Sequence, residues 1–427
     1  MLIKNFSDLV GNPSREIALK IAEAGLSAIN TGRVVEKSVH LKNNTLIIKG
    51  NKFNLKNFKR IFVVGAGKCA AEAAAALERI LGDRITDGIV LSLSEKKLKK
   101  IKVYRGDHPR PTARNVKATE KIIKFLSGVK KSDLVIFIIS GGGSALLCRP
   151  KRISYRDEAR VFECLTNAGA DIKKINIVRK HLSLARGGNL AKYAYPAKAV
   201  SLIFSDVLGD DLAFISSGPT VFDGSTIGDA GAVLKEFSVE KRCGNINKGL
   251  METPKDKKYF KNIKNILAVS NKIALSAMKE AGKNSGLAVC ILDASMSGEA
   301  SVAGRKIADN LHQVGPKNIL LYGGETTVTV KKKGKGGRNM ELALSALRFL
   351  KDDELILALA SDGRDNTDFA GAICDKITRE KAKKSNLNIE KFLENNNSYE
   401  FFKKTKDAVI TGDTGSNVSD LIIAIKK

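Results

Sequence analysis

The sequence predicts an α/β protein of two domains. Short apolar, β-branched runs alternate with helical segments, and glycine-rich turns directly follow several of these runs. Such an alternation is typical of a largely parallel sheet with helices on both faces. The chain has 427 residues, 43% of them hydrophobic, which is enough for two ordinary cores. We place the domains at 1–240 and 241–427, and the last strand or helix can return to the first domain.

The first half of the chain has the clearest strand–helix units. Apolar residues recur at helical spacing over 13–30, and an alanine-rich helix is predicted over 70–81. A charged segment with glycines and a proline, 241–264, is predicted to be a helix plus the domain connection. The predicted strands of this half cover residues 45–49, 61–64, 88–93, 134–139 and 199–204.

The second half is predicted to be a smaller mixed α/β domain. Its predicted helices cover residues 272–281, 299–314 and 339–350, followed by a polar helical hairpin over 378–403. Its predicted strands cover residues 266–269, 288–292, 318–322, 326–331, 355–360 and 421–425.

The turn after the strand at 61–64 is the most informative feature. Gly65, Ala66 and Gly67 are followed by Lys68, and the alanine-rich helix begins next. Backbone N–H groups, the positive end of the helix dipole and an ammonium therefore converge, which favours a bound anion. The turn also matches the G-x-G-x-x-[GA] pattern of Rossmann-like dinucleotide-binding domains. A tight turn alone would explain the glycines but not a cation that opposes the helix dipole.

A second glycine loop follows the strand at 134–139. Ser140, Gly141, Gly142, Gly143 and Ser144 let the backbone approach a ligand closely, and either serine can donate to an oxyanion. The loop lacks the G-x-S-x-G pattern of a nucleophile elbow. Phosphate or carboxylate binding and a plain tight turn both remain open.

Two further segments offer contacts to an anion. In the loop 106–111, His108 is a candidate substrate contact or base, and a capped turn is the alternative. Arg179, Ser183 and Arg186 are spaced to lie on one helical face that could grip a carboxylate. A solvated surface is the alternative for this face.

Acidic residues follow the predicted strand 199–204. Asp206 lies at the carboxyl end of that strand, where open α/β sheets bind their ligands. With Asp210 it suggests Mg²⁺, which prefers oxygen ligands. Asp206 could instead accept the proton of an attacking hydroxyl. Capping of a turn is the alternative for Asp210 or Asp211.

Three candidates lie in loops of the second half. Arg338 opens a predicted helix with Asn339 as its N-cap, and an arginine there suits phosphate or carboxylate. The acidic glycine loop 361–368 contributes Asp362, but no closing glutamate makes it a calcium loop. The loop 412–417 contributes Thr414 and Asn417 as hydrogen-bonding groups.

The net charge of +28 raises the question of nucleic-acid binding. The lysines are widely spread, aromatic residues make up 6%, and there is no tryptophan, so we expect no nucleic-acid partner. We expect no membrane span and no signal peptide, and we place the protein in the cytoplasm. Six cysteines without a C-x-x-C pair suggest reduced thiols.

Taken together, these segments resemble the glycerate 2-kinase family, whose C-terminal part is the MOFRL domain. The resemblance covers nearly the whole chain and keeps the motif order. The matching stretches are VVGAGK (63–68), GDHPRP (106–111), SGGGSAL (140–146), VRKHLSLARGGNLA (178–191), SDVLGDD (205–211), SSGPT (216–220), GGETTVTV (323–330), GGRNMELAL (336–344), SDGRDNTDFAGAICD (361–375) and TGDTGSNVSDL (411–421).

The resemblance implies ATP-dependent phosphorylation of the 2-hydroxyl of D-glycerate, with a divalent cation such as Mg²⁺. It implies two α/β domains with the active site in the cleft between them, and it leaves a homodimer open. By position, Lys68 resembles the catalytic lysine, Arg338 the arginine that faces it, and Asp206 the base or a metal ligand. The chain departs from the family pattern at Asn366, Asp413 and Arg186, which concerns fine specificity more than reaction type.

The main alternative is an NAD(P)-dependent hydroxypyruvate reductase. It rests on the dinucleotide pattern at Gly65 and on the similar small acid that such an enzyme reduces. Glu95 is the acidic residue nearest the expected ribose-binding position, but it lies 30 residues after Gly65, later than the usual spacing of about 20.

Overall fold

The computed structural model describes residues 1–244 and 247–427. They form two compact units, one of Val34–Ala268 and one of Met1–Arg33 with Val269–Lys427. This division differs from the predicted boundary at residue 240. Asn245 and Ile246, which belong to the predicted helix and connection 241–264, lie outside the described residues.

The regular elements alternate along the chain as expected. The strands are β1 (Val39–Lys42), β2 (Thr45–Ile48), β3 (Asn51–Asn54), β4 (Arg60–Ala66), β5 (Asp87–Ser92), β6 (Ile101–Arg105), β7 (Asp133–Ser140), β8 (Lys198–Phe204), β9 (Ile263–Val269), β10 (Ala288–Met296), β11 (Asn318–Gly324), β12 (Glu354–Ala360), β13 (Gly371–Asp375), β14 (Ala408–Val409) and β15 (Asp420–Lys426). The α-helices are α1 (Phe6–Leu9), α2 (Pro13–Ile29), α3 (Thr31–Ser38), α4 (Ala70–Leu81), α5 (Ala113–Leu126), α6 (Gly143–Leu146), α7 (Tyr155–Asn167), α8 (Ile172–His181), α9 (Asn189–Ala194), α10 (Ile227–Glu236), α11 (Val239–Cys243), α12 (Asn271–Lys283), α13 (Ala300–Gln313), α14 (Arg338–Leu347), α15 (Lys376–Lys384), α16 (Ile389–Glu394) and α17 (Ser398–Thr405).

The main sheet of the first unit has the strand order β6-β5-β4-β7-β8-β9. The pairs β5–β6, β4–β5, β4–β7 and β7–β8 are all parallel. This order is that of the dinucleotide-binding fold, and the chain reverses its direction of sheet growth between β4 and β7. Ligands of open α/β sheets bind at the carboxyl ends of the strands at that point. The predicted parallel sheet is thus confirmed, and its switch point lies at the two glycine loops.

The alanine-rich helix α4 shows why its sequence suits this position. Six of its alanines are buried: Ala70, Ala71, Ala73, Ala74, Ala75 and Ala76. Their small side chains let the helix lie close to β4 and β7, and alanine has the highest intrinsic helix propensity. The helix covers the predicted residues 70–81.

The second unit is built on a mixed sheet with the order β10-β11-β15-β12-β13-β14. The predicted strand 326–331 is wrong, since an isolated bridge between Thr327 and Glu299 is all that pairs this segment. The Glu299 carboxylate accepts the Thr329 amide at 3.1 Å and its hydroxyl at 2.8 Å, so side-chain bonds replace a strand ladder. The predicted hairpin 378–403 consists of α15, α16 and α17.

The N-terminal helices belong to the second unit because of a buried charge network. Arg15 on α2 is 1% exposed. Its guanidinium contacts Asp375 at 2.6 and 2.9 Å and Asp407 at 2.8 Å, and it donates to Thr378 at 2.9 Å. The two ends of the sequence are therefore joined across 360 residues. The Arg15 guanidinium holds the pKa of Asp375 below its usual value although burial opposes this.

The cysteines differ in part from the prediction of reduced thiols. Cys164 on α7 and Cys243 on α11 form a disulfide. The two residues lie 79 positions apart, and no spacing pattern in the sequence indicated their pairing. Cys69, Cys148 and Cys374 are buried free thiols, and Cys290 is exposed. Across the described residues, the helices are too short or too polar to cross a membrane.

Replacing Arg15 with methionine should destabilise the protein strongly. Two buried carboxylates would lose their partner, which costs about 3–5 kcal/mol. Urea unfolding followed by circular dichroism measures this change. Lys20→Met on the same helix, which breaks an exposed pair with Glu16, is the control and should cost less than about 1 kcal/mol. An equal, small effect of both substitutions would contradict the structural role of Arg15.

Candidate functional site

The two glycine loops interlock at the switch point of the first sheet. The Lys68 amide donates to the Gly141 carbonyl at 2.9 Å, and the Cys69 amide donates to the Ser140 hydroxyl at 3.3 Å. Gly67 has a φ of +138°, and a Cβ atom there would overlap Ser140. Gly65, near the end of strand β4, pairs with Ile138 of β7. The glycines therefore serve the close approach of two loops, and the Ser140 hydroxyl is already used between them.

Lys68 and His108 lie over the second glycine loop. Gly142 has a φ of +79°, and a Cβ atom there would be 2.9 Å from Lys68 Cγ and 3.3 Å from His108 Cδ2. Within the described residues, the Lys68 ammonium forms no hydrogen bond or ion pair. Lys68 thus lies between β4 and α4 beside the second glycine loop, and its role in binding an anion stays a prediction.

The loop that carries His108 is fastened to the same place. The Asn115 side chain accepts from the Asp107 amide at 3.0 Å and donates to the carbonyls of Asp107 and Ala145 at 2.9 and 3.1 Å. Thr112 caps α5, so the segment is the capped turn that was the alternative reading, and it also brings His108 beside Lys68. Partial burial and the charges of Lys68 and Arg179 lower the pKa of His108 to about 4. The imidazole is therefore neutral at pH 7.

Asp206 follows β8 and reaches the glycine loop from the other side. A Cβ atom on Gly141 would overlap the Asp206 carboxylate. The carboxyl ends of β4, β7 and β8 thus bring Lys68, the glycine loop and Asp206 together, as the sequence predicted for ends of parallel strands.

Asp206 and Asp210 are the predicted metal ligands. No group of three or more histidine, cysteine, aspartate or glutamate side chains that could hold a metal occurs among residues 1–244 and 247–427. The role of Asp206 and Asp210 as metal ligands stays a prediction. The Asp211 carboxylate accepts the Ala213 amide at 2.9 Å, which is the turn-capping role predicted for one of these aspartates.

Two serines that sequence reasoning did not single out hold the glycine loop in place. The Ser216 hydroxyl donates to the Ser140 carbonyl at 2.6 Å, and a Cβ atom on Gly143 would overlap Ser216. Ser144 and Ser217 share a hydrogen bond of 2.8 Å between their hydroxyls. The signal for both was the SSGPT stretch (216–220), whose purpose becomes visible in the folded chain.

The predicted helical face of Arg179, Ser183 and Arg186 is wrong. Helix α8 ends at His181, and the chain turns before α9, so the last two residues do not continue the helix. The Arg186 side chain nevertheless lies next to Arg179. Its Nη1 atom donates to Glu158 Oε1 at 2.5 Å and to the Arg179 carbonyl at 3.4 Å. The Arg186 side chain is fully buried.

The Arg338 guanidinium in the second unit contacts two carboxylates of the protein, which the sequence did not predict. Its Nε and Nη2 atoms donate to Asp420 at 2.7 and 2.9 Å, and its Nη1 atom lies 3.3 Å from Glu325. Helix α14 begins at Arg338 with Gly337 as N-cap, so the predicted Asn339 cap is wrong. The Asp365 carboxylate accepts the amides of Asn339 and Met340 at 3.1 and 2.8 Å and supplies the cap instead.

The remaining predicted contact residues form hydrogen bonds within or between the loops 361–368 and 412–417. The Thr414 hydroxyl donates to the Ser361 carbonyl at 2.6 Å. Asp362 accepts the Arg364 amide, and Asn417 accepts the Ser419 amide, each at 3.0 Å. A direct role of Asp362, Thr414 and Asn417 in ligand binding stays a prediction.

Comparison with known proteins assigns the family. Residues 17–251 match a family described as Domain of unknown function (DUF4147), and residues 318–420 match the MOFRL family. A glycerate 2-kinase of Pyrococcus horikoshii is 37% identical and aligns over 96% of this chain and 97% of its own. The chain belongs to the glycerate 2-kinase family.

A solved structure and one differently named relative complete the comparison. The crystal structure of a Thermotoga maritima glycerate kinase matches with a TM-score of 0.86 at 34% identity, over 96% of this chain and 99% of that one. A relative from Agrobacterium vitis named as a hydroxypyruvate reductase is 38% identical over 85% of this chain and 86% of its own. The membership of the glycerate 2-kinase family that the motifs suggested is therefore confirmed.

Gly67→Ala should destabilise the interlocked loops. The substitution combines backbone strain with overlap on Ser140, for an expected loss of at least about 2 kcal/mol. Thermal unfolding measures it. Gly50→Ala, at a φ of +79° with open space around it, is the matched control and should cost about 1 kcal/mol. Equal losses at both glycines would contradict the close approach described for Gly67.

Proposed function

We propose that this protein transfers the γ-phosphoryl group of ATP to the 2-hydroxyl of D-glycerate, giving 2-phosphoglycerate and ADP. The observation that carries the proposal is the Lys68 ammonium, without a partner among the described residues, at the switch point of a parallel sheet between two glycine loops. Family membership supports the reaction, since relatives at 37% and 35% identity over nearly their full length are named glycerate 2-kinases.

The arrangement suits phosphoryl transfer. Such a reaction needs positioning and charge stabilisation of the transferred group more than a covalent nucleophile. Lys68 and the backbone N–H groups of the loop 140–144 are proposed to supply positive charge, since the amides of residues 67–70 already donate inside the protein. In the proposed step the glycerate 2-oxygen bonds to the γ-phosphorus as the bond to the ADP oxygen breaks. Asp206 is the proposed acceptor of the hydroxyl proton.

The proposed cofactor ion is Mg²⁺ held by ATP and by few protein groups. Kinases commonly bind Mg²⁺ through one or two carboxylates plus substrate phosphates, so a cluster of three protein ligands is not required. Asp210 is the proposed carboxylate, and ligation by Asp206 is the alternative to its role as proton acceptor. When bound, the ion would neutralise charge on the phosphates.

Arg338 is proposed to contact a substrate anion. Asp420 holds its guanidinium by two hydrogen bonds and so fixes its orientation. The Nη1 atom faces Glu325, whose side chain is 50% exposed and can give way to a ligand. This role rests on the family resemblance together with that remaining donor.

The hydroxypyruvate reductase alternative has support from the Agrobacterium relative and from the strand order. One feature speaks against it. A dinucleotide domain places an acidic residue for the ribose near the end of its second strand. Here β5 ends at Ser92, whose hydroxyl donates to the carbonyls of Gly67 and Lys68 at 3.0 and 3.1 Å. Phosphate binding beside Lys68 is therefore the better-supported function.

Incubation with D-glycerate and MgATP should yield ADP and a product that enolase accepts directly, without a mutase. Enolase acts on the 2-phosphate, so this coupling identifies the hydroxyl that is phosphorylated. Assays with L-glycerate and without glycerate are the controls. Absence of glycerate-dependent ADP, or steady NADH oxidation with hydroxypyruvate, would overturn the assignment.

Lys68→Ala should lower kcat by at least about 100-fold, because a preorganised charge at the transferred phosphate is lost. Circular dichroism should be unchanged, since the side chain makes no bond to a described residue. Lys96→Ala, which removes an exposed lysine paired with Glu72, is the control and should keep full activity. Turnover by Lys68→Ala at the rate of this control would mean that Lys68 has another purpose.

A further inference from the structure

A chain of three side chains runs from the second glycine loop into the interior of the first unit. The hydroxyl oxygens of Ser144 and Ser217 lie 2.8 Å apart. The Ser217 hydroxyl also donates to Asn176 Oδ1 at 2.8 Å. Ser217 is 0% exposed and Asn176 is 3% exposed, whereas Ser144 is half-buried. The Ser144 end of this chain is therefore open to a ligand, and the Asn176 end is buried in the protein.

The direction of the protons along this chain follows from the number that each group carries. An amide oxygen can only accept, and a serine hydroxyl has a single proton to donate. Because Ser217 gives its proton to Asn176, it accepts in its contact with Ser144, and Ser144 is the donor there. The proton of Ser144 then points into the protein, and the lone pairs of its oxygen remain for a ligand. This direction is opposite to the sequence-based expectation that Ser144 can donate to an oxyanion.

The backbone around Ser217 has a conformation that serine rarely adopts. Ser216, Ser217 and Gly218 have φ values of +54°, +60° and +58°. Glycine takes such left-handed angles freely, whereas serine is strained there. Both serine hydroxyls are in use, since Ser216 donates to the Ser140 carbonyl at 2.6 Å and Ser217 donates to Asn176. The strain is therefore maintained where two hydroxyls support the glycine loop, and such strain concentrates at functional sites.

The same strained segment is also held through its carbonyl groups. The Gly187 amide donates to the Ser217 carbonyl at 2.9 Å, and the Gly188 amide donates to the Gly218 carbonyl at 2.8 Å. Ser217 is thus bonded through its main chain as well as its side chain. Its hydroxyl oxygen is a fixed acceptor, so the Ser144 proton is kept on the inner side of the loop.

The glycine loop has hydrogen-bond acceptors at both of its ends. A Cβ atom on Gly141 would overlap the Asp206 carboxylate, and one on Gly142 would lie 2.9 Å from Lys68 Cγ. The Ser144 oxygen follows two residues later. An anion suits the middle of this arrangement, where Lys68 lies, and hydroxyl groups suit its two ends. A molecule with one reacting hydroxyl and a second hydroxyl beside it fits this order of groups.

We propose that Ser144 accepts a hydrogen bond from the non-reacting hydroxyl of the acceptor substrate, with Ser217 and Asn176 as positioning residues. The inference rests on the proposed function, in which that group is the 3-hydroxyl of D-glycerate. Asp206, at the other end of the loop, is left to the reacting 2-hydroxyl. A site built to hydrogen-bond a hydroxyl rejects an analogue that lacks it. Ser144 thereby decides which of the two hydroxyls is presented to the phosphoryl donor.

Ser144→Ala tests the proposal with two acceptors, D-glycerate and D-lactate, which lacks the 3-hydroxyl. ADP release measures both. Wild-type kcat/KM should be about 10-fold higher for D-glycerate, since one hydrogen bond separates the two acceptors. Ser144→Ala should lower kcat/KM for D-glycerate about 10-fold and leave that for D-lactate within twofold. A preference for D-glycerate equal to that of the wild type would overturn the proposal, whether or not the overall rate falls.

Asn176→Leu tests the direction of the protons. Leucine removes the acceptor of the Ser217 proton, which can then turn toward Ser144 and reverse the chain. Both serines remain, yet the preference for D-glycerate over D-lactate should fall at least about fivefold. Asn176→Asp keeps an oxygen acceptor at this position and should restore the preference. A wild-type preference in Asn176→Leu would show that the chain does not orient Ser144.

Ser216→Ala is the matched control for the substrate preference. It removes a neighbouring hydroxyl and its bond to the Ser140 carbonyl but leaves the chain from Ser144 to Asn176 in place. Any loss of kcat/KM should therefore be equal for D-glycerate and D-lactate. A loss of preference as large as that in Ser144→Ala would contradict the assignment to Ser144.

Two variants of Ser217 separate the loss of the hydroxyl from a loss of stability. Ser217→Gly relieves the left-handed strain, whereas Ser217→Ala keeps it, so Ser217→Gly should have the higher melting temperature. Both variants lack the hydroxyl and should show the same reduced preference for D-glycerate. A preference that rises with the melting temperature would mean that Ser217 acts through stability alone and would overturn its positioning role.

Calorimetry without nucleotide separates this inference from the kinase assignment. The wild-type protein should bind D-glycerate about 10-fold more tightly than D-lactate, and Ser144→Ala should bind the two equally. If this pattern holds but no glycerate-dependent ADP forms, the hydroxyl contact stands and the kinase function fails. If ADP forms and Ser144→Ala keeps the wild-type preference, the kinase function stands and the hydroxyl contact fails.

Discussion

The hydrogen bond from the Lys68 amide to the Gly141 carbonyl is the contact on which the candidate site depends. It joins the turns after β4 and β7 at 2.9 Å, where the parallel sheet reverses its direction of growth. Glycine is needed on both sides because a side chain on Gly67 or Gly141 would overlap Ser140 or Asp206. This packing places the Lys68 side chain over the loop that the glycines bring close, and there we propose that it binds an anion.

The sequence predicted those features that depend on neighbouring residues. Helix α4 was predicted over its full length because its alanines and the glycine turn before it are local signals. The position of Asp206 at a strand end was predictable for the same reason, since parallel strands place their carboxyl ends on one edge. The family motifs then gave the reaction class, which composition and spacing alone left open.

Long-range pairing explains most of what the sequence did not reveal. Arg15 meets Asp375 across 360 residues, so no local pattern could assign the N-terminal helices to the second unit. The cap that Asp365 gives to α14 comes from a separate loop, which is why Asn339 looked like the N-cap. The segment 326–331 has the β-branched residues of a strand, but the Thr329 amide and hydroxyl in it donate to the Glu299 carboxylate rather than to a neighbouring strand.

The central claim is that Lys68 and the glycine loops hold the phosphate that is transferred. A crystal structure with a non-hydrolysable ATP analogue, Mg²⁺ and D-glycerate tests it most directly. Our account predicts the terminal phosphate within hydrogen-bond distance of Lys68 Nζ and of amides in the loop 140–144. A terminal phosphate bound elsewhere, with the Lys68 ammonium free of any ligand, would contradict it.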